Sequence, residues 1–345
     1  MTERRGVLNM MLMSFGSLAV VRTIYVLWGW SMSYGTESWG GIVANPFELC
    51  GLKDSTFDDN GGYVEGENDY PNVIDIGFQL TIAVISTAII SGALAIRVKF
   101  GTWMIFSGIW ATLVHFPLAH MVWGGGILDD GENSIASWIF DSEDGEALIT
   151  PIAFAADVLA GLAWINTTAA TTAAILGWLL MEKIRDGYST SLGAAPGVVA
   201  GLVTINPAGT PVTSLIMGLF GGMLGSVGVG LKFRFGFDDS LDVVGVHLVA
   251  GLWGTIAIAF FANDRGILTG GGADGWKLLV VQFIIAAVAV IFAAIITAII
   301  AVILKSTIGW RVTDQIETDG IDFGGHRETG YDIGGRAICR TTSRN

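Results

Sequence analysis

The chain has 345 residues, of which 52% are hydrophobic and 14% charged, and it contains 48 glycines. This composition excludes a soluble globular domain and indicates a membrane protein with several spans. The formal net charge is −13, but the acidic residues collect in loops and in the C-terminal tail. The negative charge therefore belongs to the loops and does not imply a basic partner, and no nucleic acid is expected to bind.

Eight apolar runs are candidates for membrane-spanning helices, which need about 20 residues each. The first run contains Arg22, which can snorkel, pair or line a cavity, and no cleavable-signal pattern accompanies it. The fifth run is the weakest because it is short and contains Pro196. The predicted spans are residues 6–33, 73–96, 101–127, 158–181, 192–208, 211–231, 243–262 and 278–304.

Basic residues mark every second connection between these runs, whereas the other connections hold few of them. By the positive-inside rule the basic connections are cytoplasmic. An even number of spans then places both ends of the chain in the cytoplasm, which agrees with the basic residues before the first run and after the last. The membrane is expected to be the cell membrane. We therefore expect residues 1–310 to form a transmembrane domain and residues 311–345 a cytoplasmic tail.

Two outer connections, residues 50–72 and 129–147, are acidic. Neither has the spacing of an EF-hand, so we expect solvated loops rather than a calcium site. The two cysteines, Cys50 and Cys339, lie in different flanking regions and predict neither a disulfide framework nor a metal site.

One imidazole, that of His247, lies inside the seventh apolar run, in the sequence DVVGVHLVAGLWGTIAIAFFA. An ionisable group within a span usually faces a bundle interior or a water-filled path, which indicates a function. The alternative is a neutral histidine that bonds a carbonyl group of a neighbouring helix. Asp242 at the start of this run, and Asp157 before the fourth run, are expected to cap their helices.

The other chemical candidates lie near the end of the third run. His115 and His120 are five residues apart, so they do not share a helix face and do not form a metal-binding pair. No nucleophile elbow, Walker loop or dinucleotide fingerprint is present in the sequence, so an enzyme is disfavoured and no cofactor is expected. Trp123, which three glycines follow, is either an interfacial anchor or the cap of an outer vestibule that attracts a small cation.

Five stretches of the chain resemble the ammonium transporter (Amt/Mep/Rh) family and occur in that family's order: VLNMMLMSFG, FQLTIAVISTAIISGALAIRVKF, PLAHMVWGGG, INTTAATTAAILGW and DVVGVHLVAGLWGT. The resemblance implies an all-α polytopic membrane protein, a homotrimer whose protomers are helix bundles built on an inverted repeat. In the family each protomer has an outer aromatic site for ammonium, a phenylalanine gate and a narrow apolar pore with two histidines.

The resemblance also implies roles for particular residues. Trp123 matches the tryptophan of the outer site, His247 matches the second pore histidine, and Asp242 matches the aspartate that begins its helix. Phe78 is assigned to the pore, and Ile82 stands where the gate phenylalanine is usual. His120 and Asp157 are expected to be structural neighbours of the pore.

The chain also departs from the family. It lacks counterparts of the helix before VLNMM and of two helices between WGGG and the INTT helix, so about eight of the usual eleven spans remain and the inverted repeat is incomplete. The first pore histidine and a serine of the outer site are lost with them. Because part of the pore lining is missing, the sequence predicts weak or absent transport.

Three functions remain open from the sequence. The first is transport of ammonium or ammonia across the membrane. The alternatives are a non-conducting shortened homologue that acts as an ammonium sensor or regulatory subunit, and an inactive fragment. The resemblance further suggests a cytoplasmic nitrogen-regulatory signalling protein as a partner, with residues 313–335 of the tail as its docking surface.

Overall fold

The computed structural model describes residues 4–331, except residues 59, 67–69, 132, 141, 144–145, 148–159 and 206–208. Most of the described chain is helical, and all eight predicted runs coincide with helices. The expected all-α polytopic fold is therefore confirmed. The helices are α1 (Val7–Tyr34), α2 (Val73–Ala93), α3 (Phe100–Trp123), α4 (Ile135–Ile139), α5 (Ala160–Asp186), α6 (Ser191–Thr204), α7 (Pro211–Phe235, with a turn at residues 229–230), α8 (Val244–Phe261), α9 (Gly272–Thr307), α10 (Asp314–Asp319) and α11 (Ile321–His326).

Six of these helices are long and apolar enough to cross a membrane: α1, α2, α3, α7, α8 and α9. The two other predicted spans correspond to α5, which has 27 residues, and to α6, which has 14. At ~1.5 Å per residue, α6 is about 21 Å long and so is shorter than the hydrocarbon core of a bilayer. The fifth run, which was expected to be the weakest candidate span, thus forms a short helix.

Small residues bring α5, α6, α7 and α8 close together. A Cβ atom at Gly218 or Gly222 of α7 would overlap the carbonyl group of Ala170 or Ala174 in α5, so glycine is required there. Such contacts let helix backbones approach closely in a membrane, where lipid supplies no hydrophobic drive for association. Gly254 of α8 likewise lies against the carbonyl oxygen of Thr204 at the end of α6.

An aromatic cluster joins α1 to α3. The ring of Tyr25 lies 5.8 Å from that of Phe116 and 6.3 Å from that of Trp30, measured between centroids. Tyr25 begins a π-helical turn in α1, Tyr25–Gly29, and a second π-helical turn, Ala111–His115, precedes Phe116 in α3. Helix α9 then packs against both α3 and α8 and connects the two groups of helices.

The tail folds back onto the basic end of the bundle. Val312 N–H donates to the carbonyl oxygen of Arg97 at 2.9 Å. The buried carboxylate of Asp322 accepts hydrogen bonds from the backbone N–H groups of Leu8 at 3.1 Å and Asn9 at 2.7 Å, so it caps the start of α1. The beginning of α1, the α2–α3 connection and the tail therefore lie at one end of the molecule, as the distribution of basic residues predicts.

The opposite end carries structure that the hydropathy pattern does not predict. Strand β1 (Ser38–Trp39) pairs antiparallel with β2 (Val43–Ala44), and β3 (Ser142–Glu143) pairs with β4 (Glu146–Ala147). Within the second acidic connection, α4 packs against α9 and buries Ala136. This connection is therefore partly folded rather than a fully solvated loop.

Candidate functional site

The three glycines after Trp123 set the geometry of the end of the bundle opposite the tail. Trp123 is half-buried and ends α3, and Gly125 has a φ of +79°, which turns the chain away from the helix. Gly124 lies against the carbonyl oxygen of Ser33, where no Cβ atom would fit. These close backbone contacts fix the position at which the indole of Trp123 leaves α3.

His120 holds this end of α3 to the β1–β2 hairpin. The side chain is fully buried, and its Nε2 lies 2.7 Å from Ser38 Oγ, while its Nδ1 lies 3.2 Å from the carbonyl oxygen of Ser33. The carbonyl oxygen can only accept, so Nδ1 carries the proton and Nε2 accepts from the Ser38 hydroxyl. Both ring nitrogens are thus occupied, which suits the structural role expected of His120.

Two carboxylates near this end have shifted pKa values. Burial raises the pKa of Asp129, and the adjacent Asp130 adds to the shift, although the N–H groups of Asp130 and Gly125 partly offset it. Burial opposes ionisation of Glu48, but hydrogen bonds from Thr36 Oγ1 and from the N–H groups of Glu37 and Thr36 outweigh it, so the pKa of Glu48 lies below its ordinary value. The N–H group of Gly125, two residues after Trp123, donates a hydrogen bond to the Asp129 carboxylate at 3.0 Å.

Phe78 and Ile82 lie one turn apart on the same face of α2. The Phe78 side chain is 60% exposed, and that of Ile82 is half-buried. At ~1.5 Å per residue they lie about 8 Å and 14 Å along the axis from Val73, which begins α2. The protein therefore leaves most of the Phe78 ring uncovered.

His247 lies in a π-helical turn, Val244–Val249, at the start of α8. The side chain is half-buried, and within the described residues its ring has no hydrogen-bond partner. The expected alternative, a histidine satisfied by a carbonyl group of a neighbouring helix, is therefore not what the described residues present. A π-helical turn is rare and often occurs at functional sites.

The start of α8 is capped by a residue that the sequence reading did not choose. Asp239 is buried, and its two carboxylate oxygens accept the N–H groups of Val243 and Val244 at 2.9 Å each. Asp242 instead has a φ of +60° and forms an ion pair with Lys232 Nζ at 2.5 Å. The capping role expected of Asp242 thus belongs to Asp239, because the left-handed turn at Asp242 directs its side chain away from the helix start.

Close packing fixes the segment around His247. A Cβ atom at Gly245 would lie 2.6 Å from the backbone nitrogen of Val229 in α7. Val246, the next residue, is buried against Trp178 of α5. The residues on one side of His247 are therefore closely packed, while Leu248 on the other side is 42% exposed.

The predicted site residues lie in three helices. Trp123 ends α3, Phe78 and Ile82 lie in the first half of α2, and His247 lies in the first turn of α8. In the described ranges no ring contact joins Phe78 to His247, and no group of three potential metal ligands is present. Asp157, also assigned to this region, lies outside the described residues.

Sequence reasoning missed three contributors to this arrangement: Asp239, Lys232 and Ser38. The only sequence signal for Asp239 is that three aspartates lie within five residues at the start of the His247 run. This signal does not show which of the three caps the helix. The sequence indicated Lys232 only as one of the basic residues that predict the topology. Ser38 belongs to a hairpin whose partner in α3 is distant in the chain, so no local pattern indicates it.

The chain was compared with known proteins. The sequence model of the Ammonium Transporter Family matches residues 1–142 and 150–331. An ammonium transporter of Mycobacterium tuberculosis is 36% identical over 409 residues, covering 96% of this chain and 85% of that protein. That alignment is longer than the 345-residue chain, so the relative has internal residues that this chain lacks. The break in the family match falls where two helices were expected to be missing.

Two solved structures share the fold. Saccharomyces cerevisiae Mep2 aligns with a TM-score of 0.70 at 20% identity, covering 87% of this chain and 81% of that chain. A protein described as Sensor Amt Protein aligns with a TM-score of 0.73 at 18% identity, covering 93% and 90% of the two chains. At these identities the likeness establishes the fold alone. With the family match over most of its length and the relative at 36% identity, the chain belongs to the ammonium transporter family.

Proposed function

We propose that this chain transports ammonium across a membrane. The observation that carries the proposal is its membership of the family, supported by a relative at 36% identity that is named an ammonium transporter and that aligns with 96% of the chain. The half-buried His247, without a hydrogen-bond partner in the described residues, supplies a group that transport of a small hydrogen-bonding molecule would use.

The proposed path begins at Trp123. An indole face attracts a small cation through its ring quadrupole, with a gain of about 0.5–2 kcal/mol that depends on desolvation. The glycines beside Trp123 and the buried His120 below it hold this end of α3 in place. In this proposal Trp123 therefore raises the concentration of ammonium at the outer end.

Phe78 and Ile82 then form an apolar stretch of the path. A charged ion is costly at this depth of a membrane, whereas neutral ammonia is not. The proton and ammonia would separate before this stretch. Ile82, which stands where the family has a phenylalanine, presents a smaller side chain to this stretch.

His247 is the imidazole that the passing molecule meets after Ile82. A neutral imidazole has one donor and one acceptor nitrogen, so it can accept a hydrogen bond from ammonia or relay a proton. The fixed position of Gly245 and the cap by Asp239 orient this segment. His247 therefore has a role in the path, while Asp242 and Asp239 have positioning roles.

The alternatives of a sensor and an inactive fragment are less well supported, because the relatives that match most of the chain are named transporters. We further propose that the protein is a homotrimer in the cell membrane with both ends in the cytoplasm. A cytoplasmic nitrogen-regulatory signalling protein that binds residues 313–335 is also proposed. Within the described part of that range, the Asp322 carboxylate already binds the start of α1, so the docking surface excludes it.

The test is flux through the purified full-length chain in liposomes. We expect His247→Ala to reduce ammonium flux at least about tenfold, because the imidazole is the polar group of the inner half of the path. We expect Trp123→Ala to raise the ammonium concentration at half-maximal flux by about 2-fold to 30-fold, the equivalent of ~0.5–2 kcal/mol. Recording current at the same time distinguishes net movement of ammonium from movement of ammonia.

Two matched variants serve as controls. Trp138→Ala removes an exposed indole from α4, and His326→Ala removes an imidazole from the tail, and neither should change flux. Robust flux that Trp123→Ala and His247→Ala leave unaltered would refute the proposed path. Ammonium binding that Trp123→Ala abolishes, in a protein without flux, would instead support a sensor.

A further inference from the structure

The proposed path gives no role to His115, a buried imidazole of α3. Its side chain is 9% exposed and ends the π-helical turn of that helix. The rings of Trp110 and Phe116 lie 6.5 Å and 6.0 Å from it between centroids, but among the described residues neither ring nitrogen of His115 has a hydrogen-bond partner. His120, five residues further along, has a partner for each nitrogen. The protein thus satisfies one imidazole of α3 and leaves the other unsatisfied.

A second buried polar group near Phe116 is also without a partner. Tyr25 of α1 is 1% exposed, and its ring lies 5.8 Å from that of Phe116. In the part of the chain that the structure describes, the Tyr25 hydroxyl forms no hydrogen bond. A buried polar group that bonds nothing costs free energy, and inside a membrane no bulk water offsets that cost. The surroundings of Phe116 therefore suit a small molecule that forms hydrogen bonds.

His115 lies at a level of the bundle similar to that of Ile82. It is about 12 Å along α3 from Trp123, and Ile82 is about 14 Å along α2 from the start of that helix, at ~1.5 Å per residue. Helix α2 contacts the π-helical turn that His115 ends, and Ala83 belongs to the same buried cluster as Ala111 of that turn. The imidazole therefore lies beside the apolar stretch of the proposed path.

We propose that His115 binds the transported molecule at the level of Ile82, as a second imidazole of the path besides His247. This inference rests on the proposed transport of ammonium. A neutral imidazole has one N–H donor and one nitrogen with a free lone pair. The lone pair accepts a hydrogen bond from ammonium or ammonia as either passes the apolar stretch. A potassium ion has no hydrogen to donate, so His115 favours the nitrogen compound over that ion.

The test measures flux and stability in the same purified full-length variants. We expect His115→Phe to reduce ammonium flux in liposomes about fivefold or more, which corresponds to the loss of about one hydrogen bond. The midpoint of thermal unfolding should stay within about 2 °C of the native value, because the fold loses no hydrogen bond. His115→Gln keeps a donor and an acceptor and should restore part of the flux.

The matched control is His120→Phe, which removes an imidazole from the same helix. Both nitrogens of His120 bond other parts of the protein, Ser38 Oγ and the carbonyl oxygen of Ser33. This variant should therefore lower the unfolding midpoint by about 4 °C or more. A comparable fall for His115→Phe would show that His115 supports the fold, and it would overturn the inference.

A binding measurement separates this inference from the proposed function. In protein with isotope-labelled histidine, ammonium chloride should shift a side-chain nuclear magnetic resonance that His115→Phe deletes, and potassium chloride should not. Equal effects of the two salts would overturn the inference, since His115 would then bind water only. So would native flux in His115→Phe. Absence of flux in the native chain would refute the proposed function, and the ammonium-dependent shift alone would then decide the role of His115.

Discussion

Removal of the Asp239 carboxylate should destabilise the start of α8. The side chain is 4% exposed and accepts two backbone N–H groups at 2.9 Å each, from Val243 and Val244. Loss of a helix cap costs about 0.5–2 kcal/mol, and loss of hydrogen bonds to a charged group costs about 1.5–3 kcal/mol. For Asp239→Ala we expect a loss of about 2–3 kcal/mol. Asp239→Asn keeps one acceptor oxygen and should lose about half as much.

The adjacent residue is the control. Asp238 pairs with Arg97, but its side chain is 48% exposed, so Asp238→Ala should cost only about 0–1 kcal/mol. Thermal unfolding in detergent, followed by circular dichroism, should give apparent midpoints in the order native, Asp238→Ala, Asp239→Asn, Asp239→Ala. A midpoint for Asp238→Ala as low as that of Asp239→Ala would refute the assignment of the cap.

Two further substitutions test the packing and the charge of the site. Gly245→Ala should cost about 1–3 kcal/mol and reduce flux, because its Cβ atom would lie 2.6 Å from Val229 N, whereas Gly251→Ala meets only a side-chain atom of Val203 at 3.4 Å and should be tolerated. Because the pKa of Asp129 is raised in the folded protein, its contribution to stability is present below the ordinary value of about 3.9 and is lost as pH rises through the raised value. Asp129→Asn should therefore flatten the fall of the melting temperature in that window, and a pH profile identical to the native one would contradict this reasoning.

Hydropathy predicted the membrane helices because burial in lipid demands long apolar runs with satisfied backbone groups. Hydropathy predicted the positions of the helix ends less accurately. The third run was expected to continue to residue 127, but α3 ends at Trp123, where glycines allow the left-handed turn at Gly125. The last run was expected over 278–304, but α9 begins at Gly272, since Asp274 and Lys277 pair at 2.9 Å within its first turns.

The sequence indicates candidate site residues by their type, but it does not indicate the contacts that support them. His247 and Trp123 are visible from sequence because an imidazole and an indole are conspicuous in apolar and glycine-rich surroundings. The choice between Asp239 and Asp242 depends on the backbone turn between them, which no pattern of residues specifies. The β1–β2 hairpin depends on contacts with α3, such as Ile127 N–H to the carbonyl oxygen of Gly41 at 2.9 Å, and these join residues far apart in the chain.

The length of α9 has a consequence for the membrane that surrounds the protein. Its 36 residues extend about 54 Å at ~1.5 Å per residue, and the side chains of its second half are largely exposed. Its apolar run, residues 278–304, extends about 40 Å, which exceeds a hydrocarbon core of about 30 Å unless the helix tilts or the bilayer thickens around it. Hydrophobic mismatch thus ties the orientation of α9, and with it the packing of α8 and α3, to acyl-chain length.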